Sequence, residues 1–177
     1  MAGHNKWSKV KHIKGPADAK RGKIFSKLSK EITLAAKAGG GNPDMNARLR
    51  SAILSAKGQN MPNDTIDRAI KKATTDNSAD MESIVYESYG PGGVAILIDA
   101  LTDNRNKAAQ EIKHILSKNG FELASPGSAS WAFKKENNVW NATTTMPLED
   151  ADIETLTKLV EELEENDEVQ NVYTNAE

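Results

Sequence analysis

The spacing of the apolar residues changes once along this chain of 177 residues, in the segment between Thr74 and Glu82. Before this segment, apolar residues recur at helical spacing. After it, short apolar runs typical of strands are combined with two further helical patterns. The segment itself is polar and acidic, as expected of a hinge or domain boundary. We therefore predict two domains, at 1–75 and 83–177.

The sign of the charge changes at the same place. Up to Thr75 the chain has 16 basic and 5 acidic residues, a net charge of +11, whereas the remainder has 7 basic and 20 acidic residues, a net charge of −13. A positive half attracts and holds phosphates, and a negative half repels them. The pattern predicts a polyanion-binding domain joined to an acidic one, and nucleic acid is the first partner to expect.

Three helices are predicted in the first domain. The first follows Ala17 and ends at the glycine run 39–41, the second begins near Pro43 and Asp44, and the third begins at Pro62. The apolar stripe expected in the second helix consists of Met45, Leu49, Ala52, Ile53 and Ala56. Since each helix has one such stripe, the three are expected to bury them in a small bundle.

The second domain is predicted to be of the α+β class. Strands are expected at Ser83–Tyr89, Val94–Ile98, Ser128–Phe133, Val139 to about Met146, and Val169–Tyr173, with helices at 104–119 and after Pro147. We interpret this order as the ferredoxin-like arrangement (βαββαβ), with an antiparallel sheet and two helices on one face.

The basic arm at the start of the chain and the first helix are the strongest candidates for a binding site. Lysine and arginine neutralise phosphates, and an exposed tryptophan can stack on an unpaired base. The predicted nucleic-acid-binding residues are Lys6, Trp7, Lys9, Lys11, His12, Lys14, Lys20, Arg21, Lys23, Lys27, Lys30, Arg48 and Arg50. The alternative is an ordinary solvated helix face with a disordered tail, but the acidic residues that usually compensate such a face are missing.

Other classes of function have little support in the sequence. The chain has no cysteine and only three histidines, and no motif for catalysis or metal binding surrounds them. We therefore expect no catalytic residues, no metal, no cofactor and no small-molecule substrate. The longest aliphatic run, Val94–Ile98, is too short to span a membrane. A cytoplasmic monomer without a membrane partner is expected.

Several longer motifs resemble one family. They are Met1-Ala2-Gly3-His4-x-Lys6-Trp7, Asp18-x-Lys20-Arg21-Gly22-Lys23-x-Phe25, Ala35-Ala36-Lys37-x-Gly39-Gly40-Gly41-x-Pro43, Tyr89-Gly90-Pro91-Gly92-Gly93 and Asp103-Asn104-Arg105-Asn106. Together they are similar to the YebC/PmpR family of probable transcriptional regulators, which includes a mitochondrial translational activator. Members of this family have a further α/β domain inserted near Lys134, whereas this chain has only the short connection Glu136–Thr145.

The resemblance implies a non-enzymatic regulator of gene expression whose helical domain binds nucleic acid, either as a DNA-binding transcriptional regulator or as a translation factor. The corresponding partners are duplex DNA with the transcription machinery, or structured RNA with the ribosome. An alternative from another class is a protein interaction module whose basic half binds acidic protein surfaces.

Overall fold

The computed structural model describes Trp7, residues 18–75 and residues 80–177, with side chains from residue 22 onward in the first of these ranges. The chain divides into two compact units. One unit is Pro16–Met81, and the other combines Met1–Gly15 with Glu82–Glu177. We call them the helical unit and the sheet unit.

The part of the helical unit that the structure describes contains three helices, as predicted. They are α1 (Asp18–Gly39), α2 (Ala47–Gly58) and α3 (Asn63–Thr74). α1 packs against both other helices. The core residues are Ile32, Ala35, Ala36, Leu49, Ala56, Met61, Ile66 and Ala69. The apolar stripes therefore face one another, and the polar faces of the helices remain on the surface.

The connection between α1 and α2 depends on the buried side chain of Asn46. Its Oδ1 accepts a hydrogen bond from the Leu49 amide at 3.1 Å, which caps the start of α2. Its Nδ2 donates to the carbonyl oxygens of Ala35 at 2.8 Å and Gly40 at 2.9 Å, near the end of α1. A Cβ atom at Gly39 would lie 2.7 Å from this Nδ2, so glycine is needed there for close approach.

This cap corrects the predicted start of the second helix. The helix begins at Ala47 and not near Pro43 and Asp44, because the Asn46 side chain satisfies groups of both helices at once. Met45, predicted to lie in the core, precedes the cap and is 84% exposed. Its prediction as a core residue was wrong.

Within residues 82–177, the sheet unit contains six strands and two α-helices. The strands are β1 (Glu82–Tyr89), β2 (Ala95–Thr102), β3 (Leu123–Ala124), β4 (Phe133–Glu136), β5 (Val139–Ala142) and β6 (Val169–Thr174), and the helices are α4 (Arg105–Lys118) and α5 (Asp150–Glu165). Four strands form an antiparallel sheet in the order β3-β1-β2-β6, and β4 pairs with β5 in a separate hairpin.

Strand β2 is buried on both faces of the sheet. Its residues Ile96, Ile98 and Ala100 share one apolar cluster with residues of α4 and α5. Ala95 and Leu97, which point to the opposite face, share another cluster with Ala129, Ala132 and Phe133. The helices thus cover one face, and a 3₁₀ turn (Ser130–Ala132) with the β4–β5 hairpin covers the other.

The α+β class, the three-helix bundle and the antiparallel sheet are confirmed, but the connectivity differs from the βαββαβ order. β1 and β2 follow each other directly and pair, and the hairpin lies outside the four-stranded sheet. Most of the strand predicted at Ser128–Phe133 is turn, and the strand predicted from Val139 to Met146 ends at Ala142. These differences arise because β2 is apolar on both faces, and residues 129–142 cover the face that the two helices leave open.

A buried carboxylate holds the turn that provides this cover. Glu87 on β1 accepts hydrogen bonds from the backbone amides of Gly127 at 2.7 Å, Ala129 at 2.7 Å and Ser130 at 2.9 Å. Burial favours the neutral acid, but the hydrogen bonds from these backbone amides together outweigh it, so the pKa of Glu87 is lowered. The ionised side chain therefore fixes residues 127–130 against the sheet.

Trp7 lies in the core of the sheet unit. The indole is 9% exposed and belongs to the cluster that contains Leu148, Leu156 and other residues between the helices and the sheet. The start of the chain is therefore grouped with residues 82–177, which differs from the predicted domain at 1–75. The independent folding of two domains stays a prediction.

We predict that Glu87→Gln lowers the free energy of unfolding of the sheet unit by about 1–3 kcal/mol at pH 7, because the acceptor of three amides loses its charge. Since the folded pKa is lowered, this stabilisation is complete above the pKa of an unfolded glutamate, about 4.3, and is lost as the pH falls through the folded value. The difference from the unmodified protein should therefore shrink in acid.

Urea denaturation at neutral and acidic pH measures this difference. All three tryptophans belong to the sheet unit, so tryptophan fluorescence follows its unfolding. Glu122→Gln, at an exposed position of the same unit, is the matched control. A loss of stability in Glu87→Gln that does not depend on pH would contradict the role of the carboxylate.

We predict that Trp7→Ala lowers the free energy of unfolding of the same unit by about 3–5 kcal/mol, because it leaves a large cavity. Trp131→Ala, at a position 61% exposed, should cost about 1 kcal/mol or less. Urea denaturation followed by the fluorescence of the remaining tryptophans compares the two. An equal cost for both variants would show that Trp7 is not a core residue.

Candidate nucleic-acid interface

Four of the basic residues of α1 lie at positions that share one face of the helix. Lys23, Lys27, Lys30 and Lys37 are separated by four, three and seven residues, which is the spacing of a single face. The core residues Ile32, Ala35 and Ala36 occupy the opposite face. Lys23 and Lys37 are exposed, whereas Lys27 and Lys30 are half-buried.

Half-burial is compatible with a charged surface, because lysine covers apolar neighbours with its aliphatic stem and keeps the ammonium group in water. From Lys23 to Lys37 this face extends for about 21 Å along the helix axis. Between residues 19 and 43 the only acidic residue is Glu31. We call Lys23, Lys27, Lys30 and Lys37 the α1 basic face.

Other predicted residues lie in the arm and in the first turn of α1. Lys20 and Arg21 lie within α1, as predicted, but their side chains are outside the described part of the chain. Lys6, Lys9, Lys11, His12 and Lys14 are outside the described residues altogether. Their role in binding stays a prediction.

Arg48 and Arg50 both make contacts within the helical unit. The guanidinium group of Arg48 lies 3.5 Å from the carboxylate of Glu31, in an exposed ion pair that joins α2 to α1. Arg50 donates to the carbonyl oxygen of Pro43 at 2.9 Å, which braces the loop before α2. Neither contact was predicted, because Glu31 and Pro43 lie outside α2, the helix that contains both arginines.

Lys37 has an acidic partner at the end of the α1 basic face. Its ammonium group lies 2.5 Å from the carboxylate of Asp80. The hydrogen bond and the positive charge of Lys37 lower the pKa of Asp80. The pair is exposed and screened by solvent, so it contributes little to stability.

The position of Trp7 contradicts its predicted role. Stacking on an unpaired base requires an exposed ring face, whereas the Trp7 indole is 9% exposed and packs in the core of the sheet unit. The basic residues around it suggested an exposed side chain. Burial of one aromatic ring among charged neighbours leaves no periodic signal in the sequence.

The described residues offer no metal site. Among residues 18–75 and 80–177, no cluster of three or more histidine, cysteine or acidic side chains could hold a metal ion. His114 is exposed on α4. None of the helices in this part of the chain is long and apolar enough to cross a membrane.

The sheet unit has an exposed aromatic pair that no sequence pattern predicted. Trp131 is 61% exposed, and its Nε1 donates to the hydroxyl oxygen of Tyr89 at 3.0 Å. The hydroxyl group of Tyr89 in turn donates to the carbonyl oxygen of Ser128. Trp131 was predicted to lie in the strand Ser128–Phe133, and the alternation of residues in this segment does not indicate an exposed indole.

Comparison with known proteins identifies a family for both units. The model of the TACO1/YebC protein N-terminal domain matches residues 5–76. The model of the TACO1/YebC second and third domain matches in two segments, 81–139 and 135–176. These segments meet at the turn between β4 and β5, where the sequence resemblance placed the missing insertion.

Relatives of known sequence carry a regulatory name. A "Probable transcriptional regulatory protein" of Desulfosudis oleivorans is 56% identical over 140 residues, which cover 78% of this chain and 57% of the relative. Another of the same name, from Fervidobacterium nodosum, is 49% identical over 173 residues, which cover 96% of this chain and 68% of the relative. The chain therefore spans between half and about two thirds of the length of such relatives.

A solved structure shows the same architecture. The crystal structure of a conserved hypothetical protein from Aquifex aeolicus matches with a TM-score of 0.82 and 32% identity, covering 90% of this chain and 91% of that chain. The two family models match nearly the whole sequence, from residue 5 to residue 176. The chain is thus a member of the TACO1/YebC family.

Proposed function

We propose that this chain is a non-enzymatic, nucleic-acid-binding regulator of gene expression, and that its helical unit binds phosphates through the α1 basic face. The observation that carries the proposal is the alignment of Lys23, Lys27, Lys30 and Lys37 on the side of α1 away from its core. The names of the curated relatives support a regulatory role in transcription.

The charge distribution favours a polyanion as the ligand. A row of ammonium groups along a helix matches the regular charge of a phosphate backbone, and binding releases condensed counterions. Glu31, the only acidic residue between residues 19 and 43, forms its ion pair with Arg48 of α2. An ordinary solvated helix would carry acidic residues among its lysines.

The geometry favours recognition of phosphates over recognition of bases. Lysine contacts to phosphates set position and affinity but carry no sequence information. Trp7, which was predicted to stack on an unpaired base, is buried. We therefore propose binding to a phosphate backbone of duplex DNA or structured RNA, with a transcriptional regulator as the leading form of the proposal. The test also distinguishes two alternatives. One is a translation factor that binds ribosomal RNA, and the other is a protein interaction module.

The decisive variant replaces Lys23, Lys27 and Lys30 by glutamate. If the three lysines contact phosphates, affinity should fall, and the slope of log affinity against log salt should decrease by about 2–3, since each contact contributes about 0.7–0.9. The control replaces Lys57, Lys71 and Lys72 by glutamate. These lysines lie at the ends of α2 and α3, and the control has the same net charge as the first variant. It should retain most of the slope.

Fluorescence anisotropy over a series of salt concentrations measures both variants with duplex DNA and with a structured RNA. If the α1 variant loses more affinity for duplex DNA than for RNA, the transcriptional form is favoured. If it loses more affinity for RNA, the translational form is favoured. If the two triple variants lose equal affinity, net charge explains binding and the α1 basic face is not the site. If the unmodified protein binds neither ligand at low salt, the interaction module replaces the proposal.

A further inference from the structure

A carboxylate lies at one end of the α1 basic face. The ammonium group of Lys37 is 2.5 Å from a carboxylate oxygen of Asp80, and the two residues are 43 positions apart in the sequence. Both belong to the helical unit, which extends over Pro16–Met81. The contact is therefore made by the fold of this unit, and not by neighbouring turns of one helix.

The position of Lys37 links this contact to the length of the face. Lys23 and Lys30 are separated by seven residues, and so are Lys30 and Lys37. At a rise of about 1.5 Å per residue, Lys37 contributes the second half of the face, a length of about 10 Å. Phosphates along the first half leave Asp80 in place, whereas phosphates along the second half meet its carboxylate.

Asp80 occupies Lys37 in the way that a phosphate would. Carboxylate and phosphate oxygens both accept charge-assisted hydrogen bonds from an ammonium group. The hydrogen bond and the positive charge of Lys37 lower the pKa of Asp80, so the carboxylate is ionised at neutral pH. A phosphate beside the intact pair would face a like charge, and it has to displace Asp80 in order to bind Lys37.

Displacement of Asp80 costs the fold little. The side chain of Asp80 is 94% exposed and that of Lys37 is 35% exposed, and exposed ion pairs of this kind contribute little to stability. The contact of Glu31 is different, because its partner Arg48 lies on α2 and the pair joins two helices. Asp80 instead engages a lysine of the α1 basic face itself, in a pair that can exchange its carboxylate for a ligand.

We propose that Asp80 is an internal competitor for phosphate at Lys37. The second half of the α1 basic face is then bound only by a ligand whose phosphate displaces the Asp80 carboxylate, and affinity for any shorter or differently placed polyanion is reduced. This role rests on the proposed function, because it requires the α1 basic face to bind phosphates. It adds a regulatory contact to that site.

The test compares Asp80→Asn with Asp67→Asn, a control at an exposed position of α3 that changes the net charge equally. Fluorescence anisotropy at one low salt concentration measures the affinity of each variant for duplex DNA and for a structured RNA. Asp80→Asn should bind about 1.5- to 5-fold more tightly than the control, because Lys37 is then open to phosphate. This range corresponds to the strength of an exposed ion pair.

A second substitution shows whether the gain depends on the lysine. In the Lys37→Gln background, Asp80→Asn should raise the affinity no more than Asp67→Asn does, because no ammonium group is left for the phosphate. For the same reason, Lys37→Gln should cost more affinity in the Asp80→Asn variant than in the unmodified protein. The four affinities form a double-mutant cycle that measures the coupling of Lys37 and Asp80.

The role of Asp80 is overturned if Asp80→Asn and Asp67→Asn bind equally well, or if the gain above the control persists in the Lys37→Gln background. If the triple glutamate variant of the α1 basic face loses affinity as expected in either case, that face remains the phosphate site and only the role of Asp80 is wrong. If the triple variant loses no more affinity than its own control, both proposals are wrong.

Discussion

The structure of the sheet unit depends on the burial of strand β2 on both faces. Seven of its eight residues are buried, and Ile96, Leu97 and Ile98 are completely inaccessible to solvent. Such a strand needs cover on two sides, so the chain supplies two helices for one face and a turn with a hairpin for the other. The other features of the unit follow from this requirement, including the buried carboxylate of Glu87 that holds the turn and the exposed ring of Trp131 that the turn carries.

Much of this architecture could be predicted from local patterns. Helical spacing identified α1 and α3, and the aliphatic run at 94–98 identified β2. What could not be predicted depends on contacts between residues far apart in the chain. Residues 128–133 alternate like a strand, but the Glu87 carboxylate, about 40 positions away, binds their amides and makes a turn. The start of α2 was misplaced because the Asn46 side chain reaches the carbonyl groups of α1.

The candidate site was predictable to the same degree. The concentration of lysine in the first helix required only the sequence, and the structure adds that Lys23, Lys27, Lys30 and Lys37 lie on the side away from the core. The exposure of Trp7 and of Trp131 could not be predicted, because tertiary packing decides whether a single aromatic ring is buried. The ring expected to meet a ligand is buried, and the one expected in a strand is exposed. The α1 basic face belongs to the helical unit, whereas the exposed ring of Trp131 belongs to the sheet unit.

The proposal that α1 contacts phosphates is tested most directly by mapping the bound surface at residue resolution. Backbone amide signals of the full chain would be followed by NMR during titration with a duplex DNA and, separately, with a structured RNA. The α1 basic face predicts that the largest changes within residues 18–75 fall on Lys23, Lys27, Lys30 and their neighbours, and that they diminish as salt increases. Changes confined to α2 and α3, or to the β4–β5 hairpin of the sheet unit, would contradict it.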